Sequence, residues 1–94
     1  MEITGIIWLR KIVYKLLWKH EVTTDEVEEV FENEPRYKFQ EKGKIRGEDI
    51  YTAYGRTDAG RYLAVFFIYK FSREALIVTA RDMDRKERRR YVKK

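Results

Sequence analysis

The chain has 94 residues, no cysteine, one histidine and a formal net charge of +5. A chain of this length closes one small core, so we expect a single domain over residues 1–94. The lack of cysteine excludes disulfides and thiolate metal sites, and it fits a reducing cytoplasm. A lone histidine cannot build a zinc site by itself, and we expect neither a metal nor a cofactor.

The charge is unevenly distributed along the chain. Residues 81–94 carry eight basic and three acidic side chains, which together account for the whole excess of +5. Residues 21–34 instead hold seven acidic side chains and no lysine or arginine. The C-terminal end therefore favours polyanions, and the acidic segment repels them.

Residues 8–20 predict a first amphipathic helix. Its apolar stripe, at helical spacing, comprises Trp8, Leu9, Ile12, Val13, Leu16 and Leu17. Four basic residues interrupt the stretch well before the ~18 apolar residues that a membrane-spanning helix requires, so we expect no membrane association. His20 extends the row by one i+4 step, which places it at the end of the buried stripe near the negative pole of the helix dipole.

The second helix has clear start signals. Thr23 and Glu26 fit a capping box, and Val22 and Val27 fit a hydrophobic staple. These signals predict a helix from about Thr24 to Glu32, which ends before Pro35.

Beyond Pro35 the apolar period becomes alternating. Residues 36–40 and 49–55 predict a hairpin with a long loop, residues 61–70 a central strand, and residues 75–81 another buried strand. A second capping box, Asp84 and Glu87, predicts a short helix from about Arg85 to Val92, anchored by Tyr91. The predicted fold class is α+β in the order α-α-β-β-β-β-α: two N-terminal helices, a four-stranded antiparallel sheet and a C-terminal helix.

Several short motifs, taken in order, resemble one family. They are Trp8, Lys19-His20, Val22, EVEEVF in the second helix, Gly47-Glu48, Gly55, GRYLAVFF, TAR and ERRRY. Together they are similar to the BrnT ribonuclease toxins of prokaryotic type II toxin–antitoxin systems over nearly the whole chain. Family members often carry a lysine and an asparagine where this chain has Ile12 and Leu16, and a glycine where it has Glu21.

The resemblance implies a RelE-like fold and metal-independent RNA cleavage that arrests translation. It also implies neutralisation by a small co-encoded, BrnA-like antitoxin in a hetero-oligomer. The partners expected from the resemblance are therefore RNA and a cognate antitoxin.

RNA cleavage by the ribose 2'-hydroxyl needs a general base, cations that stabilise the phosphorane, and preferably an acid for the leaving oxygen. His20 is a candidate base or acid because its ordinary pKa is near neutrality, although it could instead cap the first helix. Arg61 and Arg81 open and close the two central strands and are candidate phosphate ligands, with ion pairing as the alternative. The predicted catalytic set is His20, Arg61 and Arg81.

Five further residues are predicted to bind RNA. They are Lys19, Arg56, Arg88, Arg89 and Tyr91. The structural alternatives are that Tyr91 packs the last helix on the sheet, Glu87 caps it and the cations are solvated. Two other functions stay open: a catalytically silent nucleic-acid-binding module, and a protein whose basic tail or edge strand docks an acidic antitoxin-like peptide.

Overall fold

A computed structural model describes residues 1–93, which form a five-stranded sheet and three α-helices. The elements are β1 (Gly5–Ile7), α1 (Arg10–Lys15), a π-helical turn (Leu16–His20), α2 (Thr24–Glu32), β2 (Arg36–Glu41), β3 (Ile50–Arg56), β4 (Tyr62–Tyr69), β5 (Glu74–Asp82) and α3 (Arg85–Val92). The strand order is β1-β5-β4-β3-β2, with β4 central as predicted. No helix within the described residues is long and apolar enough to span a bilayer.

The sheet is mixed, which corrects the predicted four-stranded antiparallel sheet. Strands β2 to β5 pair antiparallel as expected, but β1 adds a parallel pairing to β5, with Gly5 opposite Glu74 and Ile7 opposite Leu76. A three-residue strand is too short to show a period, and its partner lies about 70 residues away in sequence. The α+β class is confirmed, whereas the order of elements begins with a strand.

The buried stripe of α1 and the π-helical turn is narrower than predicted. Leu16 is fully buried and Ile12 packs against the core, but Leu9 and Leu17 are exposed. In the widened last turn, the Glu21 N–H donates to the Leu16 carbonyl five residues back. The prediction that Leu9 and Leu17 face the core is therefore wrong.

Both capping boxes form as predicted. The Thr23 side chain accepts from the Glu26 N–H at 3.1 Å, and the Asp84 carboxylate accepts from the Glu87 N–H at 2.7 Å. In each box the glutamate carboxylate accepts from the capping residue's own N–H. Helices α2 and α3 consequently have the predicted bounds.

The core lies between α1, α2 and one face of the sheet, which we call the helix-covered face. Its central side chains are Leu16, Val27, Val30, Leu63, Val65, Phe67 and Ile77. Gly55 lets α2 approach closely, because a Cβ there would lie 2.9 Å from the Val30 side chain. The opposite face carries α3 at one end, and we call it the α3 face.

Candidate functional site

Helix α3 docks on the sheet through Tyr62. The Tyr91 ring packs edge-on against the Tyr62 ring, with centroids 5.8 Å apart. The guanidinium groups of Arg88 and Arg56 lie 4.2 and 5.0 Å from the Tyr62 ring centroid. Three residues predicted to bind RNA therefore converge on one aromatic ring, and the structural role of Tyr91 is confirmed.

The docked helix closes a cleft against β2 and β3, which we call the α3 cleft. It has a volume of about 280 Å³ and is lined by Arg36, Tyr37, Lys38, Tyr54, Glu87, Arg90 and Tyr91. Three of these side chains are cationic and three are aromatic. This combination suits a single-stranded nucleic acid, because cations contact the backbone and aromatic rings stack on bases.

Glu87 and Arg81 form a two-pronged ion pair beside the cleft. The two Arg81 terminal nitrogens lie 2.6 and 2.8 Å from the two carboxylate oxygens of Glu87. The hydrogen bonds from Arg81 hold the pKa of Glu87 below its ordinary value of 4.5, against the opposing effect of burial. Glu87 is therefore ionised at neutral pH, and Arg81 is held in a fixed orientation with its guanidinium 5.3 Å from the Phe66 ring centroid.

Tyr54 completes this group on the α3 face. Its hydroxyl lies 3.5 Å from Glu87 Oε2, which is long for a hydrogen bond. Burial, and secondly the negative charge of Glu87, raise the pKa of Tyr54 above its ordinary value of 10.0. At neutral pH the phenol is protonated, so the cleft presents a cation, a carboxylate and a hydroxyl donor together.

Arg61 forms a separate cluster on the helix-covered side. Its guanidinium donates to Asp82 at 2.7 and 3.2 Å, to the Glu21 and His20 carbonyls at 2.7 and 3.2 Å, and to Glu26 at 3.2 Å. These bonds lower the pKa of Asp82, chiefly through the hydrogen bond from Arg61. All five N–H groups of Arg61 have protein acceptors, so this arrangement leaves none for a phosphate.

The predicted catalytic residues do not form one cluster. Arg81 pairs with Ala64 and Asp82 with Leu63, and because side chains alternate along a strand, Arg81 and Asp82 point to opposite faces. His20 lies with Arg61 and Asp82, whereas Arg81 lies across the sheet with Glu87. The prediction of a joint His20, Arg61 and Arg81 site is therefore not realised in this geometry.

Of the five predicted RNA-binding residues, only Tyr91 lines the α3 cleft, and the other four lie outside it. Arg56 and Arg88 lie beside the cleft, over the Tyr62 ring. Lys19 is exposed at the end of the π-helical turn, beside Trp18. Arg89 is exposed on α3. Neither side chain makes an ion pair within residues 1–93.

Sequence reasoning missed Tyr54, Arg36 and Lys38. The alternation of β2 around the inward-facing Tyr37 was a signal that Arg36 and Lys38 share the other face. Tyr54 alternates in the same way with the buried Ala53. Their approach to Glu87 depends on the docking of α3, which no local pattern shows.

The fold and the cleft define a small basic α+β protein with a surface suited to polyanions. The family model for BrnT, a ribonuclease toxin of type II toxin–antitoxin systems, matches residues 13–87, or 75 of the 94 residues. The chain belongs to this family. No individually curated protein matched the sequence.

Proposed function

We propose that the chain is the toxin of a type II toxin–antitoxin pair and cleaves RNA in the α3 cleft. Membership of the ribonuclease toxin family supports the activity. We assign the reaction to the α3 cleft because Arg81, Glu87 and Tyr54 are grouped there, beside a cleft with cations at its rim.

In this proposal, single-stranded RNA runs through the cleft along the exposed side of α3. Arg36, Lys38 and Arg90 contact phosphates, and Arg88 extends the track towards Arg56. The scissile phosphate rests against Arg81, whose fixed guanidinium stabilises the charge that develops on the phosphorane. Arg61 acts as a positioning residue, because it joins the π-helical turn, α2 and the end of β5.

The proposed reaction needs a proton acceptor and a proton donor. The ribose 2'-oxygen forms a bond to phosphorus as Glu87 takes its proton. The bond from phosphorus to the 5'-oxygen then breaks, and Tyr54 gives that oxygen a proton. The products are a 2',3'-cyclic phosphate and a 5'-hydroxyl, and solvent returns both side chains to their starting states.

The test is cleavage of a labelled single-stranded RNA by the purified protein in buffer containing a chelator. We expect products with cyclic phosphate ends, and a loss of about 10²–10³-fold in the cleavage rate for Arg81→Ala and for Glu87→Gln. For Tyr54→Phe we expect a loss of about 10–10²-fold.

Two control variants separate chemistry from folding. Arg46→Ala removes an exposed arginine of the β2–β3 loop, at the other end of the sheet, and should cleave at the wild-type rate. Asp84→Ala removes the cap of α3 at a cost of about 1 kcal/mol but keeps the Arg81–Glu87 pair, and should retain most of the activity. RNA binding without any cleavage by the wild type would replace this proposal with the catalytically silent binding module.

Cleavage of cellular RNA by the toxin should be visible in growing cells. Induction of the wild-type chain should arrest translation and growth, and induction of Arg81→Ala should not. Co-expression of a cognate antitoxin, sought as a short adjacent reading frame, should restore growth. Growth and total RNA measured after induction check both expectations, and unaffected growth with intact RNA would contradict them.

A further inference from the structure

The segment formed by α1 and the π-helical turn is apolar on two opposite sides. Ile12 and Leu16 face the core. On the other side Tyr14, Leu17 and Trp18 are 65%, 55% and 87% exposed. Their i, i+3, i+4 spacing makes one continuous stripe, which we call the Trp18 stripe. In a folded protein, a helix that is apolar on both sides normally has both sides buried against other groups. Exposed aromatic side chains of this kind are typical of binding surfaces.

The Trp18 stripe lines an open depression in a basic surface. The depression has a volume of about 690 Å³ and is lined by Tyr14, Leu17, Trp18, Lys19 and Glu21. Residues 9–20 include four exposed basic side chains, Arg10, Lys11, Lys15 and Lys19, and no acidic residue. An occupant must therefore offer apolar groups for the stripe and negative charges around them.

We propose that the Trp18 stripe docks an acidic amphipathic helix of a partner protein. The partner's apolar side chains would cover Trp18 and Leu17, and its carboxylates would pair with the surrounding lysines. Trp and Tyr are the residue types that most often dominate such interfaces.

A second copy of this chain fits the surface poorly. A symmetric contact between two stripes would set four positive charges against four. The acidic helix α2 of another copy has the right charge, but its apolar residues Val27 and Val30 are already buried in its own core. A separate protein can supply both the negative charge and the apolar face.

RNA also fits the surface less well than an acidic protein. Leu17 offers no aromatic face for a base, so only two of the three side chains of the stripe can stack on bases, whereas all three can pack against the apolar face of a helix. The α3 cleft lies across the sheet, so a helix on the Trp18 stripe leaves that cleft open.

This proposal rests on the proposed function only for the expectation that a protein partner exists. The probe is a fluorescent synthetic helix of about 18 residues, with leucines along one face and glutamates on the other. Control peptides replace the glutamates with lysine or the leucines with serine. Fluorescence anisotropy measures binding to the full chain.

We expect only the acidic amphipathic peptide to bind. Trp18→Ser should weaken its binding about tenfold or more, and Lys15→Glu should weaken it several-fold. Phe71→Ser is the matched control, because Phe71 is 80% exposed in the β4–β5 turn, and it should bind like the wild type. The peptide should not slow RNA cleavage, and Trp18→Ser should cleave RNA at the wild-type rate.

Three results would overturn the proposal. Equal binding of the acidic and basic peptides would show that the basic residues around the stripe do not select an acidic partner. Self-association of the wild type that Trp18→Ser abolishes, seen by sedimentation, would assign the stripe to a second copy. Competition between peptide and RNA, or weaker RNA binding by Trp18→Ser, would assign it to RNA.

A chain that binds the peptide but cleaves no RNA would contradict the proposed function and leave this docking site intact.

Discussion

At the residue scale, Glu21 has an unusual backbone conformation. It follows the π-helical turn with φ +53° and ψ +41°, in the left-handed region that glycine adopts most easily. Arg61 bonds the carbonyl oxygen of Glu21, not its carboxylate. The glycine that related toxins often carry at this position therefore has a physical reason, and the bond to Arg61 does not depend on the glutamate side chain.

We expect Glu21→Gly to stabilise the protein. Relief of the left-handed strain, partly offset by the greater freedom of glycine in the unfolded chain, should raise the free energy of unfolding by about 0.5–1 kcal/mol. Glu21→Val should lower it by about 1 kcal/mol or more, because a β-branched side chain fits this conformation worst. Urea denaturation of the two variants checks both directions, and a lower stability for Glu21→Gly would contradict the argument.

The pH dependence of cleavage distinguishes Glu87 from His20 as the base. Glu87 must be deprotonated to accept a proton, and Arg81 holds its pKa below 4.5, so activity should persist as pH falls to about 5. The raised pKa of Tyr54 keeps the proposed acid protonated to above pH 10. We expect the single-turnover cleavage rate to change little between about pH 5.5 and pH 9. A tenfold fall between about pH 7 and 5.5 would instead indicate a histidine base.

At the element scale, the stability of helix α3 depends more on its contacts with the sheet than on buried side chains. None of its residues is fully buried, and eight residues are too few for a stable isolated helix. Its fixed points are the Asp84 cap, the Arg81–Glu87 pair and the Tyr91–Tyr62 contact. The position of α3, and with it the α3 cleft, therefore depends on the combined effect of these three contacts.

We expect Tyr91→Ala to loosen α3 without unfolding the core. The loss of the ring should remove about 1 kcal/mol of aromatic contact together with its buried area. Amide exchange in α3 should become about tenfold faster or more, and RNA cleavage should fall at least tenfold, while exchange in β4 changes little. Tyr91→Phe keeps the ring contact and is the control. Similar acceleration in α3 and β4 would show that the helix and sheet unfold as one unit.

Elements with local signals could be predicted, and contacts made across the sheet could not. The capping boxes at Thr23 and Asp84 lie within four residues of their partners, so the sequence alone predicts α2 and α3. Strand β1 is stabilised by its pairing with distant residues of β5, and it was missed. The division of Arg61 and Arg81 between two faces depends on the β4–β5 register, which a sequence pattern does not specify.

At the scale of the whole molecule, charge and topology separate two surfaces. The acidic α2 and the Trp18 stripe lie on the helix-covered side, whereas the basic α3 lies across the sheet. Residues 1–80 sum to zero, so the excess charge of the chain comes entirely from the segment that includes α3. The proposed RNA substrate and the proposed acidic partner would therefore approach opposite sides of one small molecule.

RNA binding should accordingly depend on salt to a degree set by the α3 side. On single-stranded RNA, each phosphate that a cation neutralises contributes about −0.7 to the slope of log K for RNA binding against log salt concentration. If Arg36, Lys38, Arg88 and Arg90 each neutralise one phosphate, the slope should be about −3. Arg36→Ala should reduce this slope by about 0.7, and Arg46→Ala, in the loop at the far end of the sheet, should leave it unchanged. Titration of a fluorescent single-stranded RNA with the Glu87→Gln variant, which limits cleavage, measures the slope. An equal reduction by both variants would mean that RNA contacts the basic surface diffusely, without a path through the α3 cleft.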